Sequence, residues 1–512
     1  MIDLPDRHES LLVVLTGMAA VAGSYVLTGW SPTFVVAPVD QQIVNLTPGA
    51  IVTFMIENVG EAGHLLHIGL AVATMIGVFG LVSLAGIRLA ARIDIPLAGG
   101  LVAGAVAWLL AAVLTGEFLL AAGPAVAIAV FTTLGSRSSS RTQTRPERPG
   151  AADSAPAPAG PTRRRTLGTL VAAVGFAGSA ALGGRLIHGN TRNTTGSSLG
   201  DVPGSTEAES RLAAASAASL DLASDDLPGL VSSTSGFYNV DIAEFDPEVS
   251  SGEWSLTFTG DVESERTIDF DELTDRPVEN RLVTLRCVGE KINDKKIDTA
   301  VWTGTPIRPL LESVDPDGDC DCAMLRGEDG YYVQFPVDVL ASGFLAWGMN
   351  GTELPTGHGH PVRVLIPGHW GETNVKWLHE IELLNTEEDG YWEERGWEGT
   401  GEVKTVAKLW DEGITHLDDS RVELAGHAYA GTRGIDRVEV STDGGDTWAD
   451  AELSEPLADE DVWRQWRYTF DPDGSHDVIV RATDGEGTLQ IREESGPSPT
   501  GSSGWVQRTI DG

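Results

Sequence analysis

Residues 282–296 read LVTLRCVGEKINDKK. The run opens by alternating apolar and polar side chains, the pattern of a half-buried strand, and Cys287 falls where Gly289 turns the chain. A thiolate at a strand end suits a reactive or ligating position; a cysteine buried within an apolar strand is inert. The neighbourhood favours the first reading. Arg281, Arg286, Lys291, Lys295 and Lys296 stand against only Glu290 and Asp294, and three of the chain's six lysines are among them. A basic island of this kind lowers a thiol's pKa and attracts an anion.

Working outward, residues 354–377 read LPTGHGHPVRVLIPGHWGETNVKW. Gly, His and Pro turns flank a short apolar strand, and His358, Arg363, His369 and Lys376 are expected to converge on a phosphorylated ligand. A zinc site is disfavoured, because no Glu or Cys completes a ligand spacing. Between the two stretches, DPDGDCDC (residues 315–322) reads as an acidic surface loop. Its glycine is misplaced for an EF-hand, and no bidentate Glu closes the loop. Three cysteines in 512 residues exclude a disulfide-built scaffold.

The formal net charge of −39 is divided unevenly. Residues 1–200 hold 12 basic and 10 acidic side chains; residues 201–512 hold 23 basic and 64 acidic ones. The first part is apolar and nearly uncharged, the second polar and very acidic. A single soluble domain is excluded, and so is nucleic acid as a partner, since phosphate contact needs basic patches. The acids are dispersed rather than gathered in a tail, as in a halophile's solvated surface.

Five apolar segments have the length of transmembrane helices: about Leu11–Trp30, Leu65–Leu84, Leu97–Thr115, Phe118–Leu134 and Leu167–Leu186. Arg7, Arg88, Arg92, the arginines of 137–148 and Arg163 to Arg165 fall on alternate sides of these spans, while 28–63 holds no Lys or Arg. The positive-inside rule then places the N-terminus inside and everything after residue 187 outside. Arg163–Arg165 before an apolar run also reads as an internal twin-arginine export signal. His64 and His67 sit at one helix entrance with no histidine on a facing span, which argues against haem. Residues 135–162 and 190–235 are polar linkers.

Beyond Trp254 the pattern is mixed α and β, with strands at Trp254–Thr259, Val362–Ile366 and Ile381–Leu384 and short helices at Ile307–Val314 and Val337–Ala341. From about Val403, alternating runs at Arg421–Ala425, Val438–Ser441, Arg467–Phe470 and Val478–Ala482, with turns roughly every ten residues, predict a β-sandwich. STDGGDTW (441–448) is a hairpin turn; as a propeller Asp-box it would need repeats, and it occurs once.

These residues carry a family resemblance. TLRCVGE around Cys287, AVWTGTPIRPLLE, YYVQFPVDVL, GMNGTELPTGHGHPVRVLIPG, NVKWLHEIEL and YWEERGW resemble, in order, the sulfite oxidase family of molybdopterin enzymes over residues 236–400. GHAYAGTRGIDRVEVSTDGGDTW resembles that family's all-β, Ig-like dimerisation domain over 401–512. Membrane-anchored prokaryotic members are the nearest likeness. The expected organisation is therefore a transmembrane region (1–134), a cytoplasmic linker (135–162), a fifth span (163–189), a second linker (190–235), an α+β molybdopterin domain (236–400) and a β-sandwich (401–512).

The resemblance implies a molybdenum held by a pterin dithiolene, with Cys287 as the protein's thiolate ligand. Phe237, Tyr238, His358, Arg363 and Lys376 are implied to hold the pterin and its phosphate, and Arg433, in AGTRGI, to reach the substrate. It implies oxo transfer on a small anionic or sulfur-containing substrate, electron exchange with a separate protein, and a homodimer. Related sulfoxide reductases run the reverse reaction. The chain departs from sulfite oxidases at Trp397, where they carry Tyr, at Glu290, where they carry Asn, at Ile292, where they carry Arg, and around Asn239, where a substrate arginine is missing.

Overall fold

The computed structural model describes residues 7–60, 62–139, 175, 178–179, 204–242, 244–314 and 320–511. Contacts divide the chain into two compact units. The first comprises Met1–Thr47, Glu61–Thr191 and Ala243–Glu248; the second comprises Pro48–Gly60, Arg192–Ile242 and Val249–Gly512.

The first unit is built from the helices Arg7–Thr28, Ala37–Leu46, Ala62–Ile93, Pro96–Thr115 and Ala122–Ser139. Small residues let the backbones meet, as apolar helix bundles require. A Cβ on Gly23 would stand 2.7 Å from the Gly123 carbonyl oxygen, and one on Gly86 2.8 Å from that of Gly99. Ser83 and Thr132 share a buried hydrogen bond of 2.8 Å. Among the described residues three helices are long and apolar enough to cross a membrane: Glu9–Thr28, Ala62–Ile93 and Pro96–Thr115.

Several sequence expectations change here. The helix expected at Phe118–Leu134 begins at Ala122, and its apolar stretch, Ala122–Ser136, falls short of a span. The run Leu167–Leu186 and Arg163–Arg165 fall outside the described residues, apart from three positions of the run. Arg88 and Arg92 lie within the 32-residue helix Ala62–Ile93, not in a loop after it, and Asp94 and Ile95 make the turn. His64 and His67 bond each other at 3.1 Å, and His67 also bonds the buried Asp40 at 2.6 Å.

The second unit holds two sheets of the α+β domain and two of the sandwich. One sheet has the order Arg266–Asp269, Ser255–Gly260, Leu378–Leu384, Cys322–Gly327, Tyr332–Pro336. Ser255–Gly260 and Leu378–Leu384 pair in parallel; the other pairings are antiparallel. The second sheet runs Glu279–Arg286, Ile297–Pro306, Phe344–Met349, Thr352–Glu353, with Arg363–Leu365 also on Phe344–Met349. The α+β core includes Trp254, Phe258, Trp347 and Ile381.

The sandwich follows the alternation read from sequence. Val422–Tyr429 and Arg464–Phe470 pair in one sheet, Ile435–Ser441 and Ser475–Asp484 in the other. Their inward side chains, among them Val438, Val440, Trp466 and Val480, form one core. The turn at 441–448 is a hairpin fastened by Asp443, which accepts from the Thr447 amide at 2.9 Å.

The expected linker at 190–235 is structured from residue 204. Ser205–Ala218 is a helix, and the segment after it binds both domains. The Asn350 side-chain amide donates to the Ser232 carbonyl at 3.0 Å, and the Trp463 indole donates to the Leu230 carbonyl at 2.9 Å. Polar composition concealed Ala208, Ala215, Leu227 and Leu230, which are buried in the shared core. The acidic loop also differs: Cys320 and Cys322 form a disulfide, and Cys322 is buried in a strand.

A buried ion network joins the two domains. Arg286 donates from Nε to Glu290 Oε1 at 2.7 Å, and Lys408 Nζ, on the sandwich strand Val406–Lys408, donates to the same oxygen at 2.7 Å. All three side chains are essentially inaccessible. Removing one member strands the charge of another, a loss of about 3–5 kcal/mol. Lys408→Met is therefore expected to lower the thermal midpoint of the second unit by on the order of 10 °C in a melt of the full chain. An unchanged midpoint would show the network to be energetically idle.

Candidate active site

Cys287 emerges directly from the strand Glu279–Arg286. Its amide donates to the Lys296 carbonyl at 2.9 Å, and Glu290 Oε2 accepts from the Lys296 amide at 3.2 Å. The turn 287–296 is thus closed at its neck, and the half-buried thiol is presented to a cavity.

That cavity gathers Phe237, Tyr238, Cys287, His358, Arg363 and Lys376, six of the seven residues implied by the family resemblance. The Tyr238 amide donates to Asp298 at 2.8 Å, and its ring stacks with Phe237 at 5.5 Å. Phe237 meets His358 edge-on, also at 5.5 Å. Arg363 donates to the carbonyls of His358 at 3.1 Å and Asn374 at 2.9 Å, and its carbon lies 5.1 Å from the Trp302 ring. Lys376 Nζ donates to Asn239 at 2.6 Å and pairs with Asp241. The next residue, Trp377, has φ +49, a strained conformation for a bulky side chain, and a 3.0 Å indole bond to Thr356 holds it there. Gly371 is required by close approach: a Cβ there would stand 2.8 Å from the Tyr238 hydroxyl.

The electrostatics correct the basic-island reading. Arg281 pairs with Glu279, Arg286 with Glu290, and Lys295 with Glu412. Of the island's cations, only Lys296 lines the cavity. Burial therefore prevails: it pushes the Cys287 thiol up to about 11, with the Lys296 ammonium opposing. Burial, reinforced by Lys376 and Arg363, lowers His358 to about 3 and keeps it neutral.

Two other residues stand outside the lining. His369 is absent from the lining: its Nδ1 bonds the Pro367 carbonyl at 3.0 Å and its ring packs on Phe335. Arg433 is absent too, because Asp484 at 3.2 Å, Glu402 at 2.9 Å and the Val403 carbonyl at 2.8 Å hold its guanidinium. Among the departures, Trp397 and Asn239 line the cavity. Glu290 is consumed by its ion network, and Ile292 packs against the hydrophobic cores.

The sequence reading missed Glu372. The residue lines the cavity, both its carboxylate oxygens are buried without a partner among the described residues, and burial, then Glu393, raises it to about 8. An acid in GETNVKW carries no periodic or spacing signal; only the fold shows that water cannot reach it.

A pterin–molybdenum group fits these residues. The donor set offers a soft thiol ligand, neutral imidazole, aromatic walls and two cations. Arg363 Nε is buried without a hydrogen-bond partner among the described residues, as expected of a cradle for a polar group. Among the described residues no cluster of His, Cys, Asp and Glu could hold a bare metal ion.

Comparison with known proteins agrees. Residues 242–392 match the oxidoreductase molybdopterin binding domain, and 403–495 match the Mo-co oxidoreductase dimerisation domain. The chain is 25% identical over 303 residues to sulfite oxidase of Arabidopsis thaliana, covering 46% of this chain and 76% of that protein. It is 29% identical over 252 residues to mitochondrial sulfite oxidase of Mus musculus, covering 39% and 45%. It is 26% identical over 303 residues to the NADH nitrate reductase of Volvox carteri, covering 46% and 35%. The chain thus spans three quarters of the plant relative and under half of the other two.

A buried thiol ionises when a metal supplies the charge. In protein prepared without cofactor, alkylation of Cys287 is expected to stay slow through pH 8 and to rise with an apparent pKa near 11. A midpoint below pH 8 would restore the basic-island reading.

Proposed function

Because this chain is a molybdopterin-dependent oxidoreductase of the sulfite oxidase family, we propose that it is a membrane-anchored enzyme performing oxo transfer on a small sulfur compound or oxyanion. The observation that carries this reading is the convergence of Cys287, His358, Arg363 and Lys376 on one cavity. The apolar helices support anchoring, and the distribution of arginines supports an outward-facing catalytic domain. A separate redox protein exchanges the electrons, and the sandwich pairs two chains. The dispersed acidity of residues 201–512 fits a saline exterior.

When bound, the molybdenum supplies a two-electron centre for moving oxygen between substrate and water. Cys287 is its protein ligand. Arg363 and Lys376 hold the anionic end of the pterin, and Phe237 and Tyr238 wall it in. His358, kept neutral, gives a hydrogen bond without adding charge. The paired waters and oxygens of such a reaction gain or lose protons, and Glu372, raised to about 8, is the cavity's group suited to exchange them near neutrality.

Cys287→Ser is expected to abolish dye-linked turnover by more than about a hundredfold, since even weaker perturbations of metal sites cost 10–100-fold. Undiminished turnover would sink the reading. The pH profile should contain a limb near pH 8 that Glu372→Gln removes. A rate that rises through this limb marks a base and the oxidative direction; one that falls marks an acid and the reductive direction. A limb that survives Glu372→Gln assigns the proton elsewhere.

A further inference from the structure

Residues 48–60 lie in the sequence between two apolar helices, yet they belong to the unit that holds the active site. They form the short helix Gly49–Phe54 and a π-helical turn, Met55–Val59, closed by Gly60 at φ +59. π-turns recur at functional sites because they re-aim a side chain out of register. Ile56, in this turn, lines the cavity.

Its place relative to the thiol is fixed by Gly289. From the point where a Cβ on Gly289 would stand, Ile56 Cγ2 is 3.5 Å away, Cys287 Sγ 3.8 Å and Trp397 Cη2 3.9 Å. The thiol, the isoleucine and the indole thus all lie within 4 Å of one point, and Val288 and Trp392 add further apolar lining. Ile56 also packs against the core that contains Val288 and Trp397.

Charge points the same way. The lining holds three cations, Lys296, Arg363 and Lys376, and three carboxyl groups, of which Asp241 pairs with Lys376 while Glu372, raised to about 8, is uncharged near neutrality. Arg286 and Arg433 are bound to carboxylates and stand outside the lining. The Trp397 indole N–H is buried and has no partner among the described residues, leaving a neutral donor beside the cavity.

We infer that the segment Pro48–Gly60 forms one wall of the catalytic cavity, and that Ile56, with Trp397, is a specificity-determining residue that admits uncharged oxo compounds with an apolar substituent and disfavours small oxyanions. This rests on the proposed oxo-transfer reading for its substrate but not for its geometry. With a sulfoxide as probe, two protons and two electrons from a reduced viologen dye convert the S=O group to sulfide and water.

The test reads Cys287 first without catalysis. In the full-length chain prepared without cofactor, its modification by uncharged methyl methanethiosulfonate is compared with that by the anionic sulfonatoethyl reagent, each normalised to free cysteine. The wild type should prefer the uncharged reagent. Ile56→Lys should shrink that preference by about tenfold or more, a typical gain from a cation focused in a cleft. Ile56→Ala should speed both reagents. Ile51→Lys, an exposed position on the same segment, should change neither. In the loaded enzyme, Ile56→Lys should lower KM for sulfite relative to dimethyl sulfoxide with little change in kcat. An unchanged reagent preference in Ile56→Lys, or an equal shift in Ile51→Lys, overturns the inference. Loaded protein without turnover on either substrate overturns the oxo-transfer reading and leaves the thiol result to stand or fall alone.

Discussion

The buried carboxylate of Glu290 holds the site together. It accepts from Arg286, which precedes the cysteine, from Lys408 in the neighbouring sandwich, and from the Lys296 amide that closes the cysteine's own turn. One acid therefore fixes three things: the exit of the strand Glu279–Arg286, the docking of the sandwich, and the direction of the Cys287 side chain. Burying these charges is costly unless each is paired, so the geometry tolerates little drift. A ligand position with that rigidity is what a metal site asks of its scaffold.

The consequence is electrostatic. With Arg286 and Lys408 spent on Glu290, and Arg433 spent on Asp484 and Glu402, the positive charge counted along the sequence does not reach the cavity. What reaches it is Arg363 and Lys376 on one side and Lys296 beside the thiol. Apolar groups from Ile56, Val288, Trp392 and Trp397 complete the lining. A cavity whose thiol stands among apolar walls selects there by shape and desolvation as well as by attraction.

Much of the fold was legible in the sequence. Strand alternation marked the sandwich, and the strand ending at Cys287 was read from its apolar alternation, although both of its faces are buried toward Arg286. The motif around 358–376 placed His358, Arg363 and Lys376 together, since a short strand between Gly and Pro turns leaves few ways to face them. What escaped depended on pairing across distance. The carboxylate partners of Arg433 and the Lys408 partner of Glu290 lie 31 to 118 residues away in the chain, and linear charge counting cannot see them. Glu372 escaped because its character comes from burial, and Ile56 because the chain carries it far from the domain it serves. The segment after residue 204 escaped because a few alanines and leucines in a polar run suffice to anchor a strap.

The central claim is that Cys287 ligates molybdenum, and X-ray absorption at the molybdenum edge of the loaded full-length protein tests it most directly. The expected result is one more sulfur neighbour than a pterin dithiolene alone provides, with that extra sulfur missing from Cys287→Ser. An identical sulfur shell in the wild type and in a Cys287→Ser protein that still holds molybdenum would contradict it.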